Sequence, residues 1–227
     1  MLKVVSMINK RKRVLVTGGS RGIGAAIVSR LMDEYDVISP TRDDLDLIRS
    51  DSISRYFDIN NDFDAIVNNA GINIIKPLSE ISIEDIRCIN AINLEAPLLI
   101  AKHCVPYMKS RKWGRIVNIS SIWGIKSKEY RSLYSGTKFG LIGYTKALAS
   151  ELACDNILVN AVCPGFTNTE LTANSLSSEQ ISRVLTSVPM HRMASPEEIA
   201  NVVYFLLSDA NSFITGQAIV VDGGFLS

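Results

Sequence analysis

Short apolar runs alternate with longer amphipathic stretches along the whole chain. Val14-Leu15-Val16 is continuous and apolar, the pattern of a strand buried on both faces. It leads into Thr17-Gly18-Gly19-Ser20-Arg21-Gly22-Ile23-Gly24, after which apolar residues recur at helical spacing through Ala25, Ile27, Val28 and Leu31. Strand-like runs return at 36–39, 64–69, 115–121, 157–163 and 217–221. Helical patterns lie between them. Ser82-Ile83-Glu84-Asp85 reads as a capping box opening a long helix to about residue 108, where Pro97 and Pro106 predict a kink or an early end. A second long helix spans 132–153. Ser195-Pro196-Glu197-Glu198 starts another, with a serine cap, proline in the first turn and glutamate at the third position. Between the second strand and Asp46 the spacing is short. Residues 41–48 turn directly into the next segment, so one crossover is reduced and the sheet edge there is expected to differ.

This alternation predicts an α/β fold: a single-domain, Rossmann-type doubly wound parallel sheet with helices on both faces. Residues 1–12 read as a basic flexible tail and 13–227 as the domain, with no linker or repeat inside it. Met7 is an alternative start. The 227 residues suffice for a sizeable core, and 47% hydrophobic with 21% charged residues is ordinary globular composition. A net charge of +1 gives no reason to expect nucleic acid as a partner, and no apolar run is long enough to span a membrane. The basic start lacks the apolar core of a signal peptide, and Cys88, Cys104, Cys154 and Cys163 lack metal or disulfide spacing. The cysteines read as small buried hydrophobes in a reducing compartment, so the expected location is cytoplasmic and no metal is expected. His103 reads as a packing residue. His191 falls in a loop on the expected substrate side.

Candidate chemistry centres on Tyr134-Ser135-Gly136-Thr137-Lys138. A tyrosine and a lysine four apart share one helix face. An adjacent ammonium favours the phenolate and is expected to lower the tyrosine pKa from its ordinary value near 10. The pair would then trade protons near neutrality. Alone, it reads equally as a surface ion-and-ring pair. Ser121 ends the 115–121 strand, at the edge where open α/β sheets bind ligands, and can donate to a substrate carbonyl; alone it is an ordinary turn serine. The glycine turn, between strand and helix, can bring backbone N–H groups against a pyrophosphate. Its G-x-x-x-G-x-G spacing departs from G-x-G-x-x-G.

Thr17-Gly18-x3-Gly22-x-Gly24, Asn68-Asn69-Ala70-Gly71, Asn93, Ser121, Tyr134-x3-Lys138 and Pro164-Gly165 occur in this order. The chain therefore resembles the short-chain dehydrogenase/reductase family from about residue 13 to its end. Pro189-Met190-His191-Arg192-Met193, Pro196-Glu197-Glu198-Ile199-Ala200, Ile214-Thr215-Gly216-Gln217 and Val221-Asp222-Gly223-Gly224 look most like the 3-oxoacyl-carrier-protein reductase branch. The resemblance implies hydride exchange between a nicotinamide and a ketone or secondary alcohol. Tyr134 would be the proton donor, Ser121 would bind the reacting oxygen, and Lys138 would tune Tyr134 and bind the nicotinamide ribose. Asn93 would hold a water in the proton relay. Thr17, Gly18, Ser20, Arg21, Gly22, Ile23, Gly24, Asn69, Ala70, Gly71, Pro164, Gly165, Thr167 and Thr169 would border the cofactor, and Asp46 and Leu47 its adenine. The shortened segment puts the placement of that last pair in doubt.

Where an acid ordinarily binds the ribose 2′-hydroxyl of NAD, this chain has Thr41 and Arg42, with Arg21 expected nearby. Two guanidiniums suit a 2′-phosphate, which favours NADP(H) over NAD(H). Asp43 and Asp44 could instead neutralise Arg42. The 166–193 segment mixes Asn168, Thr172, Asn174 and Ser175 with Leu171, Leu176 and Val184. A 3-oxoacyl thioester and a sugar or other small polar alcohol both remain open as substrates. A non-catalytic nucleotide-binding regulator is the reading from another class. The Leu141, Ile142, Tyr144, Leu148 face fits a homotetramer or homodimer, and equally a monomer core.

Overall fold

The computed structural model describes residues 11–173 and 178–227. Six parallel strands form one sheet in the order β2-β1-β3-β4-β5-β6. They are β1 (Arg13–Val16), β2 (Asp36–Ile38), β3 (Ala65–Asn68), β4 (Gly114–Ile119), β5 (Ile157–Pro164) and β6 (Ala218–Val221). The helices are α1 (Gly22–Leu31), α2 (Ser50–Ile59), α3 (Ile83–Asn90), α4 (Ala96–Arg111), α5 (Ser132–Leu152), α6 (Glu170–Ala173), α7 (Ser178–Ser187) and α8 (Pro196–Leu207).

Strand alternation divides the core between the two faces of the sheet. Leu15, Ile66, Ile116 and Val159 point to one face and pack with Ile53 and Phe57 of α2, Ile100, Cys104 and Met108 of α4, and Ala149 and Leu152 of α5. Val14, Val16, Ala65, Val67, Val117, Ile119 and Val162 point to the other and pack with Ile27 and Leu31 of α1 and Ile199, Val203 and Leu206 of α8. The inner strands β1, β3, β4 and β5 are sealed on both sides, which is why they read as largely apolar runs, while β2 and β6 at the sheet edges are only partly covered.

The chain steps outward from β1 to β2, then back past β1 to β3, so the strand order reverses there. A crevice opens beyond the carboxyl ends of β1 and β3. In the reduced connection after β2, residues 39–49 form no helix, and side-chain bonds hold them. Asp44 Oδ2 accepts from the Thr41 N–H at 3.1 Å and hydroxyl at 2.7 Å, and Ser52 Oγ accepts from the Asp46 N–H at 3.1 Å. The three-residue β2 is then the sheet edge.

Several expectations need correction. The long helix from 82 does not run unbroken: a π-helical turn, Ala91–Glu95, separates α3 from α4. Pro97 has no N–H for the Asn93 carbonyl four residues back, and the Ala96 N–H reaches five residues back to Ala91. The capping box is formed: Ser82 Oγ accepts from the Asp85 N–H at 3.0 Å and Asp85 Oδ2 from the Ser82 N–H at 2.9 Å. The end of the expected tail is tied down: Lys12 Nζ meets Asp209 at 2.9 Å and the Lys12 carbonyl accepts from the Asp36 N–H, while residues 1–10 lie outside the described residues. Of the cysteines, Cys104 and Cys163 are buried but Cys88 is only partly so and Cys154 is exposed. His103 stacks on Phe57 at 5.5 Å, a packing role.

Candidate active site

The glycine turn is shaped by what presses on it. Gly18 takes a φ of 66°, and a Cβ there would sit 2.9 Å from the Ala70 Cα. A Cβ on Gly24 would fall 2.0 Å from the Gly18 carbonyl oxygen. Thr17 locks this turn to the end of β3. Its hydroxyl accepts from the Asn69 and Ala70 N–H groups, each at 3.1 Å, while Asn69 Nδ2 donates to the Thr17 and Gly18 carbonyls at 3.0 Å. The backbone of the turn and the first turn of α1 is thereby held open as a cradle of N–H donors.

That cradle forms one end of a cavity of about 700 Å³. Every residue expected at the cofactor lines it, from Thr17 through Thr169, including Asp46 and Leu47 from the shortened segment. Arg21 and Arg42 stand on its rim, both largely exposed. Each has a carboxylate nearby: Glu170 at 3.3 Å from Arg21 and Asp46 at 3.9 Å from Arg42. Asp43 and Asp44 are not the acids that meet Arg42; Asp44 is spent on Thr41.

At the other end lie Ser121, Tyr134 and Lys138. Ser121 follows β4 and caps a tight turn, Ile122–Gly124, accepting from the Trp123 N–H at 3.1 Å. That turn packs so closely on α5 that a Cβ on Gly124 would meet the Lys138 carbonyl oxygen at 2.9 Å. Ser120 Oγ donates to the same carbonyl at 3.0 Å. These contacts bring the serine at the strand end to the tyrosine in the first turn of α5. Lys138 is buried and its ammonium donates to the Ile119 carbonyl at 2.8 Å, 5.7 Å from the Tyr134 ring centre.

The electrostatics differ from expectation. Burial pushes the Tyr134 phenol above its ordinary pKa; the Ser121 hydroxyl and the Arg131 charge only partly offset this. Burial also pulls the Lys138 ammonium down to about 8. The expected lowering of the phenol by Lys138 is not found; burial outweighs it, and the ammonium is turned to the Ile119 carbonyl.

Asn93 does not line the cavity. It is buried in the π-turn, where its side chain accepts from the Ile72 N–H at 2.9 Å and donates to the Ile72 carbonyl at 2.8 Å. It thus fixes the strand-end loop carrying Gly71, where a Cβ would lie 3.3 Å from Asn93 Oδ1 and 3.5 Å from Lys138 Nζ. His191 has its ring against the Leu185 carbonyl at 3.2 Å and is not among the cavity residues. Of the 166–193 segment, Phe166, Thr167, Thr169, Glu170 and Thr172 line the cavity, while Asn174, Ser175 and Leu176 lie outside the described residues.

The sequence reading missed Trp123 and Arg131, which also line the cavity. Trp123 packs edge-on with Phe166 and Phe225 at 6.3 and 6.1 Å. Arg131 is the N-cap residue of α5, three residues before Tyr134.

A family model described as enoyl-(acyl carrier protein) reductase matches residues 45–226. The chain is 38% identical to the 3-oxoacyl-(acyl-carrier-protein) reductase FabG of Aquifex aeolicus, over 92% of this chain and 95% of that one. Among solved structures, it superposes with a TM-score of 0.89 on a protein from Beutenbergia cavernae described as an NAD(P)-dependent gluconate 5-dehydrogenase with bound NADP. Identity is 29%, covering 96% of this chain and 98% of that one. A 4-hydroxyisoleucine dehydrogenase complexed with NADH gives the same TM-score and identity, over 94% and 98%.

Proposed function

The chain belongs to the short-chain dehydrogenase/reductase family and is an oxidoreductase, and from that premise we propose that it interconverts a ketone and a secondary alcohol with NADP(H). The observation that carries this is one cavity with a glycine-turn cradle at one end and Ser121, Tyr134 and Lys138 at the other.

The residues fit a dinucleotide. The donors of the turn around Gly18, Gly22 and Gly24 suit a pyrophosphate. Asp46 and Leu47 take the adenine end, and Asn69, Ala70, Gly71, Pro164, Gly165, Thr167 and Thr169 border the rest. Arg21 and Arg42 favour a 2′-phosphate: both guanidiniums are exposed, Glu170 beside Arg21 is exposed as well, and Asp46 reaches Arg42 only at 3.9 Å. When bound, the nicotinamide supplies or accepts the hydride.

The protein's own part is proton handling and positioning. Tyr134 gives its proton to the carbonyl oxygen as charge develops there. A phenol with a raised pKa keeps that proton at neutral pH, which suits the reductive direction. Ser121 hydrogen-bonds the same oxygen and orients it. Lys138, buried behind them and held by the Ile119 carbonyl, would bind the nicotinamide ribose. Asn93 acts by holding the Ile72 loop and through the carbonyl that Pro97 leaves without its usual donor.

Two substrate classes have support: a 3-oxoacyl thioester, from the likeness to the Aquifex reductase, and a polyhydroxy compound, from the likeness to the gluconate 5-dehydrogenase. The test is ketone-dependent oxidation of NADPH and of NADH with 3-oxoacyl thioesters and keto sugars. We expect turnover with a higher kcat/KM for NADPH. Equal efficiency or a preference for NADH would contradict the roles of Arg21 and Arg42. No turnover with any ketone would contradict the whole reading.

A further inference from the structure

Arg131 is a buried cation with no carboxylate partner among the described residues. Its relative exposure is 9%, and its Nε is fully buried without a hydrogen-bond partner. Among the described residues no carboxylate lies within ion-pair distance of it, although ion pairs occur at many other arginines. The remaining residues, 1–10 and 174–177, contain no aspartate or glutamate at all. The Tyr134 phenol feels its charge, and its guanidinium stands 5.9 Å from the Trp123 ring centre.

A guanidinium stays charged even when burial disfavours it, so an unpaired one in a closed site costs stability until an anion arrives. The backbone bends against its own preference to put it there. Tyr130 adopts a φ of 63°, a left-handed conformation unusual for a bulky residue, and is 56% exposed, while the next residue turns inward. Arg131 then lines the cavity beside Trp123, Tyr134 and Ser121. Lys126 and Lys128, exposed near Phe225 and Trp123, add positive charge around this end; Glu129, 4.0 Å from Lys128, is the acid there.

We propose that Arg131 binds a carboxylate on the substrate, so that the enzyme acts on a small keto or hydroxy acid in its free acid form rather than on a neutral thioester. This rests on the oxidoreductase reading above and deepens it. Arg131, the N-cap residue of α5, and Tyr134, three residues on, line the same end of the cavity. An anion held by Arg131 and an oxygen held by Tyr134 and Ser121 then sit at neighbouring places in one cavity, which suits a small keto acid such as a 2- or 3-keto acid. The planar fork of the guanidinium matches a carboxylate with two parallel hydrogen bonds. The flanking aromatic groups suit a short apolar chain.

The experiment compares a 3-keto acid with its neutral N-acetylcysteamine thioester and a 2-keto acid with its methyl ester. It uses the wild type, Arg131→Gln and Arg131→Lys. In parallel, calorimetry follows binding of the keto acids to the NADP-loaded protein. We expect the wild type to prefer the acids, and Arg131→Gln to reduce the acid-to-neutral ratio of kcat/KM by about 10- to 100-fold, mainly through KM. Arg131→Lys should restore part of it. A wild type that prefers the neutral compounds, or an unchanged ratio in Arg131→Gln, would overturn the carboxylate assignment while leaving the oxidoreductase reading standing. Arg131-dependent binding of keto acids without turnover of any ketone would support the anion site while contradicting the oxidoreductase reading.

Discussion

Lys138 carries a cost that its neighbours impose. It is 4% exposed, burial lowers its ammonium to about 8, and the hydrogen bond it makes is to the Ile119 carbonyl. In the unfolded chain a lysine titrates near 10.4. Between about pH 8 and 10 the unfolded state therefore binds more protons than the folded one, and stability gained from this group rises with pH. Below pH 8 both states are charged and the full burial penalty applies. Thermal melts of the ligand-free protein should show wild type losing ground to Lys138→Met at pH 7 and recovering it steadily from pH 8 to 10. A pH-independent difference would mean that the ammonium is solvated. Tyr134 shows the complementary effect: its phenol is raised by the same burial, so it is set to donate a proton rather than to exist as a phenolate.

At the scale of elements, α5 serves two surfaces. Its inner face carries Leu141, Ala149 and Leu152 into the core, and its first two turns carry Tyr134 and Lys138. Its outer face is not finished by the monomer. A Cβ on Gly136 or Gly143 would meet nothing within 4 Å, Phe139 between them is 46% exposed, and Ile142, Tyr144 and Leu148 are only partly buried. Small residues around an exposed ring allow another helix to approach closely, and closed symmetric pairing is the commonest way to bury such a face. We propose a homodimer or homotetramer through α5. Sedimentation velocity should give a particle of two or four 24.9 kDa chains, and Gly143→Glu, which has room in the monomer, should return it to one. A wild type that sediments as a single chain would contradict this.

Over the whole molecule, what the sequence made legible follows from which signals are local. Val14-Leu15-Val16 and Ala65-Ile66-Val67 are strands buried on both faces, and Ser82 and Ser195 cap helices through neighbours three residues away. Such features depend on a few adjacent residues, so the parallel sheet, its order of elements and its cleft were readable. The π-turn was only half readable. Pro97 announced a disturbance, but which carbonyl absorbs it is set by Asn93 reaching across to Ile72. The sign of the Tyr134 shift was misread because helical spacing gives proximity to Lys138 but not the solvent each has lost. Arg131 was passed over for the same reason, since an unpaired charge is visible only once every acid has been placed. The claim joining these scales is that Tyr134 delivers the proton in a nicotinamide-dependent reduction. The most direct measurement is ketone-dependent NADPH oxidation by Tyr134→Phe alongside NADPH binding. Turnover should fall about 10²- to 10⁴-fold with the dinucleotide still bound. Activity close to wild type in that variant would contradict the account.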